Sequence, residues 1–143
     1  MQYSRVKVDV RESTEERELL LEAFARTLPF PLDPFQVEAI AKLGTHQGVL
    51  VSAPTSSGKT VVAEYAIFEC LQRGMKAIYT TPLKALSNQK FRDLGEGYGA
   101  ENIGLLTGDT VVNSTAPIMV MTTEVLRNML VTGTTIDDVG SIV

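Results

Sequence analysis

The length, composition and charge of the chain are those of one globular domain: 143 residues, an apolar fraction of 44% and a net charge of −4. This negative charge excludes a broad basic surface that binds nucleic acid by bulk electrostatics, although local phosphate contacts are still allowed. Because no apolar run is long enough to span a bilayer and the N-terminus has no basic and apolar leader, we expect a cytoplasmic protein with no membrane contact.

The first third of the chain predicts two helices. Ser13 begins a capping-box pattern, and an apolar helix face continues up to Pro29. A second helix starts at Asp33 and Pro34, because aspartate accepts hydrogen bonds from free amides and proline tolerates the first helical position, and it ends at Gly44. The predicted apolar face of the first helix comprises Leu19, Leu20, Phe24 and Leu28. Ahead of both helices, alternating valines fit either a short edge strand or an extended lead-in.

A short apolar run followed by a phosphate-binding loop is the most informative feature of the sequence. Gly48–Ser52 predicts a parallel strand buried on both faces. In the loop that follows, Gly58 lets the backbone approach phosphate, Lys59 reaches the β- and γ-phosphates, and the Thr60 hydroxyl is a ligand for Mg²⁺. We therefore predict that this loop binds a nucleoside triphosphate with Mg²⁺, with Lys59 and Thr60 as the catalytic residues. The predicted phosphate-binding segment comprises Ala53, Pro54, Thr55, Ser56, Ser57, Gly58, Lys59 and Thr60.

One position of the loop departs from the standard spacing, because Ala53 stands where a glycine is usual. The alternative interpretation is an ordinary polar loop that caps a helix. The context favours phosphate binding, since apolar residues at helical spacing follow the loop until Gly74. Cys70 lies within that helix and is interpreted as a small packed thiol.

Strands alternate with helices in the second half of the chain. This order is typical of an α/β protein with a parallel sheet and helices on both faces, in which ligands bind at the carboxyl ends of the strands. Asp137–Val143 predicts a further buried strand, and we expect that strand to continue beyond the last residue of the sequence. The other predicted elements are strands at 77–81, 103–106 and 118–121, helices at 82–94 and 123–131, and a loop at 95–99.

Four stretches resemble the first RecA-like domain of superfamily II helicases, most closely the DExH-box RNA helicases of the superkiller and exosome-associated group. The resemblance implies a partial RecA-like P-loop NTPase domain over 29–143, preceded by a lead-in and helix over 1–28, and it explains the alanine in the loop. In this family the acidic DExH box would follow the strand that ends the sequence. The four stretches are 30–36, 53–60, 81–89, and 107–109 together with 121–127.

The resemblance also implies roles for residues outside the loop. Gln36 would read the adenine edge with its amide, and Phe30 would lie against the base. Alternatively, Lys84 is a solvated surface charge, and one of the threonines at 122 and 123 only caps a helix. The residues implied to contact the nucleic-acid backbone are Pro82, Leu83, Lys84, Thr107, Gly108, Thr122 and Thr123.

The function implied by the resemblance is that of an ATP-dependent helicase. The chain would be the lobe that binds ATP and nucleic acid, RNA rather than DNA. A second RecA-like lobe would complete the enzyme, which couples ATP hydrolysis to unwinding or translocation. The sequence without its acidic box is expected not to hydrolyse ATP at a helicase-like rate. Two alternatives stay open: a P-loop ATPase or nucleotide kinase of another class, and a non-catalytic ATP-binding module.

Overall fold

The described part of the chain forms two compact units in the computed structural model, one ending at Glu69 and one beginning at Cys70. The predicted cap Ser13, the alternating segment before it and the loop residue Thr55 lie outside the described residues. The predicted domain boundary after residue 28 stays a prediction. The structure describes residues 14–45, 48–54 and 56–143.

Three helices come first along the described chain, and five strands with two further helices follow. Among the described residues, no helix is long and apolar enough to cross a membrane. The helices are α1 (Thr14–Ala25), α2 (Pro34–Leu43), α3 (Lys59–Gln72), α4 (Lys84–Tyr98) and α5 (Thr123–Val131), with a 3₁₀ turn at Ala100–Asn102. The strands are β1 (Lys76–Thr81), β2 (Ile103–Leu106), β3 (Val111–Val112), β4 (Ile118–Thr122) and β5 (Val139–Ile142).

The core of the first unit joins α1, α2 and the beginning of α3. The ring of Phe24 meets that of Tyr65 edge-on, with ring centroids 5.3 Å apart, and lies 5.5 Å from that of Phe68. Ile40 of α2 is buried in the same cluster. Aromatic pairs of this kind contribute about 0.5–1.5 kcal/mol beyond their burial. The cluster therefore fixes the start of α3 relative to α2, and with it the loop that leads into Lys59.

The predicted apolar face of the first helix is partly wrong. Phe24 is buried as expected, but Leu19 is 65% exposed and α1 ends at Ala25, short of Pro29. The side chain that packs on the core one turn before Phe24 is Leu21. Because three consecutive residues, 19–21, are leucines, the sequence periodicity did not show which of them faces the core.

The predicted strand before the phosphate-binding loop is also wrong. Residues 48–52 are described but carry no strand assignment. Val49 and Val51 pack on the core of the first unit, whereas Leu50 between them is 94% exposed. Side chains therefore alternate in and out as in an extended chain. A strand exists only by backbone pairing, however, and residues 48–52 pair with no strand among the described residues of their unit.

The second unit is built on a five-stranded sheet with the strand order β3-β2-β4-β1-β5. The pairs β2–β4, β4–β1 and β1–β5 are parallel, and β3 is antiparallel to β2. This confirms the predicted α/β class. The sheet was predicted to be parallel and is mostly so, since only β3 runs antiparallel to its neighbour. The strand β3 was not predicted, because two exposed valines after a turn carry no periodic signal.

The central strand β4 is covered on both faces. Ile118, Met119, Val120 and Met121 are all buried, and successive residues of a strand point to opposite sides of the sheet. Met119 and Met121 pack with Leu126 of α5 in one apolar cluster. The apolar run that predicted this strand is the pattern expected of a strand enclosed by two layers.

Helix α4 begins and ends later than the sequence predicts. It was expected over 82–94 with a loop at 95–99, but it starts at Lys84 and continues through Gly95 and Gly97 to Tyr98. A glycine inside a helix costs about 1 kcal/mol relative to alanine, which the packing of a long helix on the sheet offsets. The helix ends at Gly99, whose φ of 88° is a left-handed value suited to glycine.

Candidate nucleotide and nucleic-acid sites

The predicted phosphate-binding loop has the strained, tightly turned backbone that such a site needs. Ser56 has a φ of 70° and Gly58 a φ of 80°, so two residues in three adopt left-handed values, one of them without being glycine. Lys59 opens α3 directly after this turn. Amides at a helix start have no acceptor within the helix, and the positive end of the helix dipole attracts an anion there.

The lysine ammonium lies across the mouth of the loop. Lys59 Nζ donates a hydrogen bond to the backbone carbonyl of Ala53, the first residue of the motif. The loop is closed further by Ser57, whose Oγ donates to the carbonyl of Pro54 at 2.6 Å. Because Ala53 takes part through its carbonyl, the departure from glycine at this position leaves the contact intact.

Gln36 connects helix α2 to the same loop. Its Oε1 accepts from the backbone N–H of Asp33 at 2.8 Å, and its Nε2 donates to the carbonyl of Gly58 at 3.0 Å. The side chain is 2% exposed, and a Cβ at position 58 would lie 2.6 Å from Nε2. In this structure the oxygen and the nitrogen of the amide both form hydrogen bonds within the protein. The Gln36 side chain therefore holds the loop against the start of α2. The predicted contact with adenine stays a prediction.

The remaining residues of the predicted nucleotide site are accessible. Phe30 is 48% exposed, and Thr60 is exposed on the first turn of α3. Within the described ranges no cluster of three or more His, Cys, Asp or Glu could hold a metal ion. A single hydroxyl still fits Mg²⁺, since that ion keeps most of its waters and takes its other ligands from the phosphates of a nucleotide. The chemistry of the loop therefore fits a nucleotide accompanied by Mg²⁺.

In the second unit, predicted backbone-contacting residues meet at the carboxyl edge of the sheet. Thr81 is in register with Thr122, and Leu106 is in register with Met121, so Thr107 follows at the same edge. Because parallel strands end together, residues far apart in sequence become neighbours there. The edge is thus lined by hydroxyl groups, which are common donors to phosphate oxygens.

A buried hydroxyl pair supports the turn that leads into α4. Thr81 Oγ1 and Ser87 Oγ lie 2.6 Å apart, and Ser87 is completely buried. Thr123 Oγ1 donates to the carbonyl of Thr81 at 3.2 Å. The predicted residues between these groups, Pro82, Leu83 and Lys84, are exposed above this support.

The two threonines at the start of α5 have different partners. Thr122 Oγ1 accepts from the backbone N–H of Val125 at 3.4 Å and caps the helix. Thr123 instead donates its hydroxyl to the neighbouring strand end. The expectation that one of the two caps the helix is therefore confirmed, and Thr122 is that residue.

Lys84 forms an ion pair across the edge. Its Nζ lies 2.5 Å from Oδ2 of Asp109, and the two side chains are 48% and 66% exposed. Asp109 Oδ1 also accepts from Thr107 Oγ1 at 3.1 Å. The hydrogen bond from Lys84, and after it that from Thr107, lowers the pKa of Asp109 below its ordinary value, so this carboxylate is charged at neutral pH.

Sequence reasoning missed Asp109, Ser87 and Thr81 as parts of this edge. Ser87 is polar, so the apolar pattern of the sequence did not predict that it would be buried. The packing of α4 on the sheet buries it. Asp109 stood in a stretch already singled out, but its partner lies 25 residues away.

The loop that opens a helix in the first unit and the mostly parallel sheet of the second define a nucleotide-binding protein of the α/β class. The DEAD/DEAH box helicase family model matches residues 33–143, a range that holds every candidate residue except Phe30. The chain belongs to the DEAD/DEAH box helicase family, and membership implies that it uses a nucleotide. The predicted resemblance is confirmed.

Several curated relatives are helicases by name. The chain is 60% identical over 110 residues to the probable helicase HelY of Mycobacterium tuberculosis, covering 77% of this chain and 12% of that protein. Identity is 55% over 109 residues to ATP-dependent RNA helicase mtr4 of Schizosaccharomyces pombe, covering 76% of this chain and 10% of the relative. Identity is 51% over 126 residues to antiviral helicase SKI2 of Saccharomyces cerevisiae, covering 88% of this chain and 10% of that protein. The chain thus spans 10–12% of the length of these relatives.

Proposed function

We propose that the chain is the part of an ATP-dependent RNA helicase that binds ATP, Mg²⁺ and the backbone of RNA. The observation that carries the proposal is that one family match spans both the Lys59 loop and the hydroxyl-lined sheet edge. One of the relatives described above, mtr4, is an ATP-dependent RNA helicase by name, which favours RNA over DNA. A second RecA-like lobe and a cytoplasmic location belong to the same proposal.

The proposed roles follow from the chemistry of each group. Lys59 would exchange the Ala53 carbonyl for the β- and γ-phosphate oxygens, and the amides at the start of α3 would hold the same oxygens. Thr60 would ligate Mg²⁺, which neutralises charge that develops on the phosphates during transfer. Gln36 keeps the loop in position and would turn its amide toward the base. At the sheet edge, Lys84 and the hydroxyl groups would contact phosphates without reading bases.

The deciding experiment measures ATP hydrolysis by the complete gene product, with and without single-stranded RNA or DNA of the same sequence. We expect turnover that RNA stimulates more than DNA. A nucleotide kinase would transfer phosphate to an added nucleotide instead, and a non-catalytic module would bind ATP without turnover. Either result, or hydrolysis indifferent to nucleic acid, would contradict the proposal.

Replacing Lys84 with methionine should weaken RNA binding by about three- to tenfold, because one cationic phosphate contact is lost. The matched control is Lys76→Met at the opposite end of β1, a lysine that is 40% exposed and also paired with an aspartate, Asp138. Fluorescence anisotropy with a labelled RNA measures both. Equal losses of RNA affinity in the two variants would mean that the carboxyl edge of the sheet has no special role in RNA binding.

Replacing Gln36 with alanine should raise the KM for ATP by about tenfold and change kcat less, since the loop loses its bond to α2 and two backbone groups lose a partner. The control is Glu38→Gln on the exposed side of the same helix. Steady-state kinetics distinguish the two parameters. A KM equal to that of the parent protein would show that the loop holds its shape without this amide.

A further inference from the structure

The donors at the sheet edge are already occupied by a carboxylate of the chain itself. Asp109 Oδ2 accepts from Lys84 Nζ, and Oδ1 accepts from Thr107 Oγ1 at 3.1 Å and Thr110 Oγ1 at 3.2 Å. One ammonium and two hydroxyls around an anionic group form the donor set by which proteins hold a nucleic-acid phosphate. Asp109 therefore sits among donors that suit a phosphate.

The ion pair between Lys84 and Asp109 can be broken at little cost. Both side chains of the pair are well exposed, so their attraction is screened by water and salt and contributes little to stability. Thr107, in contrast, is buried, and its backbone N–H donates to the carbonyl of Thr110 at 2.9 Å, which fixes the turn. The carboxylate can therefore move away from Lys84 at little cost while Thr107 stays in place.

We propose that Asp109 is an intramolecular competitor of the RNA backbone, a carboxylate that occupies the phosphate position next to Lys84 and must give way when a strand binds. The inference rests on the proposed function and adds a regulatory residue to the same edge. Its consequence is that wild-type affinity is held below what the edge allows, which favours release of the strand.

A second ion pair of the same kind provides a matched control. Asp138 and Lys76 lie 2.6 Å apart at the amino end of β1, with side chains 61% and 40% exposed. The pKa of Asp138 is lowered by its lysine, as that of Asp109 is. Neutralising either aspartate changes the charge of the chain equally, but only Asp109 lies at the carboxyl edge.

The test measures the Kd of a labelled single-stranded RNA oligonucleotide by anisotropy, using the complete gene product without nucleotide. Asp109→Asn should lower the Kd by about three- to tenfold, the effect of removing one charge a few ångströms from a phosphate in water. Asp138→Asn should leave the Kd unchanged. In a Lys84→Met background, Asp109→Asn should lose most of its gain, because the competition acts through that lysine.

Asparagine keeps the side-chain oxygen that accepts hydrogen bonds from Thr107 and Thr110. Asp109→Ser is a second variant, made in case the side-chain amide of asparagine changes the turn. Thermal unfolding checks that each variant folds. The inference is overturned if Asp109→Asn and Asp109→Ser bind RNA no more tightly than wild type while Lys84→Met binds it more weakly. That pattern would leave the proposed function standing and make Asp109 a residue that positions the lysine. If the wild type binds no RNA, the proposed function fails as well.

Discussion

Replacement of Lys59 by alanine is expected to lower kcat for ATP hydrolysis by at least about a hundredfold. The ammonium is held by the Ala53 carbonyl, and the first turn of α3, which begins at Lys59, leaves backbone amides without an acceptor inside the helix. Alanine removes the only side-chain cation of the loop segment, so charge developing on the transferred phosphate would be balanced by amides and Mg²⁺ alone. A phosphate-release assay on the complete gene product measures the loss.

Two further variants make this result specific. Lys42→Ala removes an exposed lysine of α2 that pairs with Glu38 at 2.8 Å, and it should leave kcat unchanged. Lys59→Arg keeps the charge but replaces a compact ammonium with a planar fork, and it should also lose most activity. If Lys59→Ala retained a third or more of the wild-type rate, the loop would not be the catalytic phosphate site.

The sequence predicted this loop because its chemistry is local. Gly58 and Lys59 act through the turn and helix start that they form themselves, so spacing along the chain carries the information. The run before the loop shows the opposite case. Residues 48–52 were predicted as a strand from their apolar character, but a strand also needs a neighbouring strand to pair with, and Leu50 is almost fully exposed. The apolar character of a run does not show whether such a neighbouring strand exists.

Contacts between distant segments were only partly predictable. Gln36 was predicted as part of the nucleotide site, but the sequence did not show that both ends of its amide form hydrogen bonds within the chain, one of them to a residue 22 positions away. The parallel sheet was predicted, so the meeting of Thr107 and Thr122 at one edge followed. The ion pair of Lys84 with Asp109 did not, because it depends on where the turn after β2 directs one carboxylate.

Replacing Gly104 with alanine is expected to lower the free energy of unfolding by about 2–3 kcal/mol. Gly104 lies in β2 opposite Met119 of β4, and an added Cβ would overlap both the Met119 sulfur and the backbone carbonyl of Asn113. The methionine is flexible, but Asn113 is held by hydrogen bonds from its Nδ2 to the carbonyls of Glu101 and Ile103. The sheet must therefore shift next to the edge that carries Thr107.

The control for this prediction is a glycine with free space around it. Gly97 lies in helix α4 with no heavy atom within 4 Å of an added Cβ, so Gly97→Ala should raise the free energy of unfolding by about 0.5–1 kcal/mol through helix propensity. Urea denaturation followed by circular dichroism measures both variants. Opposite signs for the two substitutions would show that close approach of β2 and β4, rather than glycine content, limits stability. A stable Gly104→Ala variant would mean that Asn113 and its turn can move, and the edge built on them would then be less rigid than the hydrogen bonds indicate.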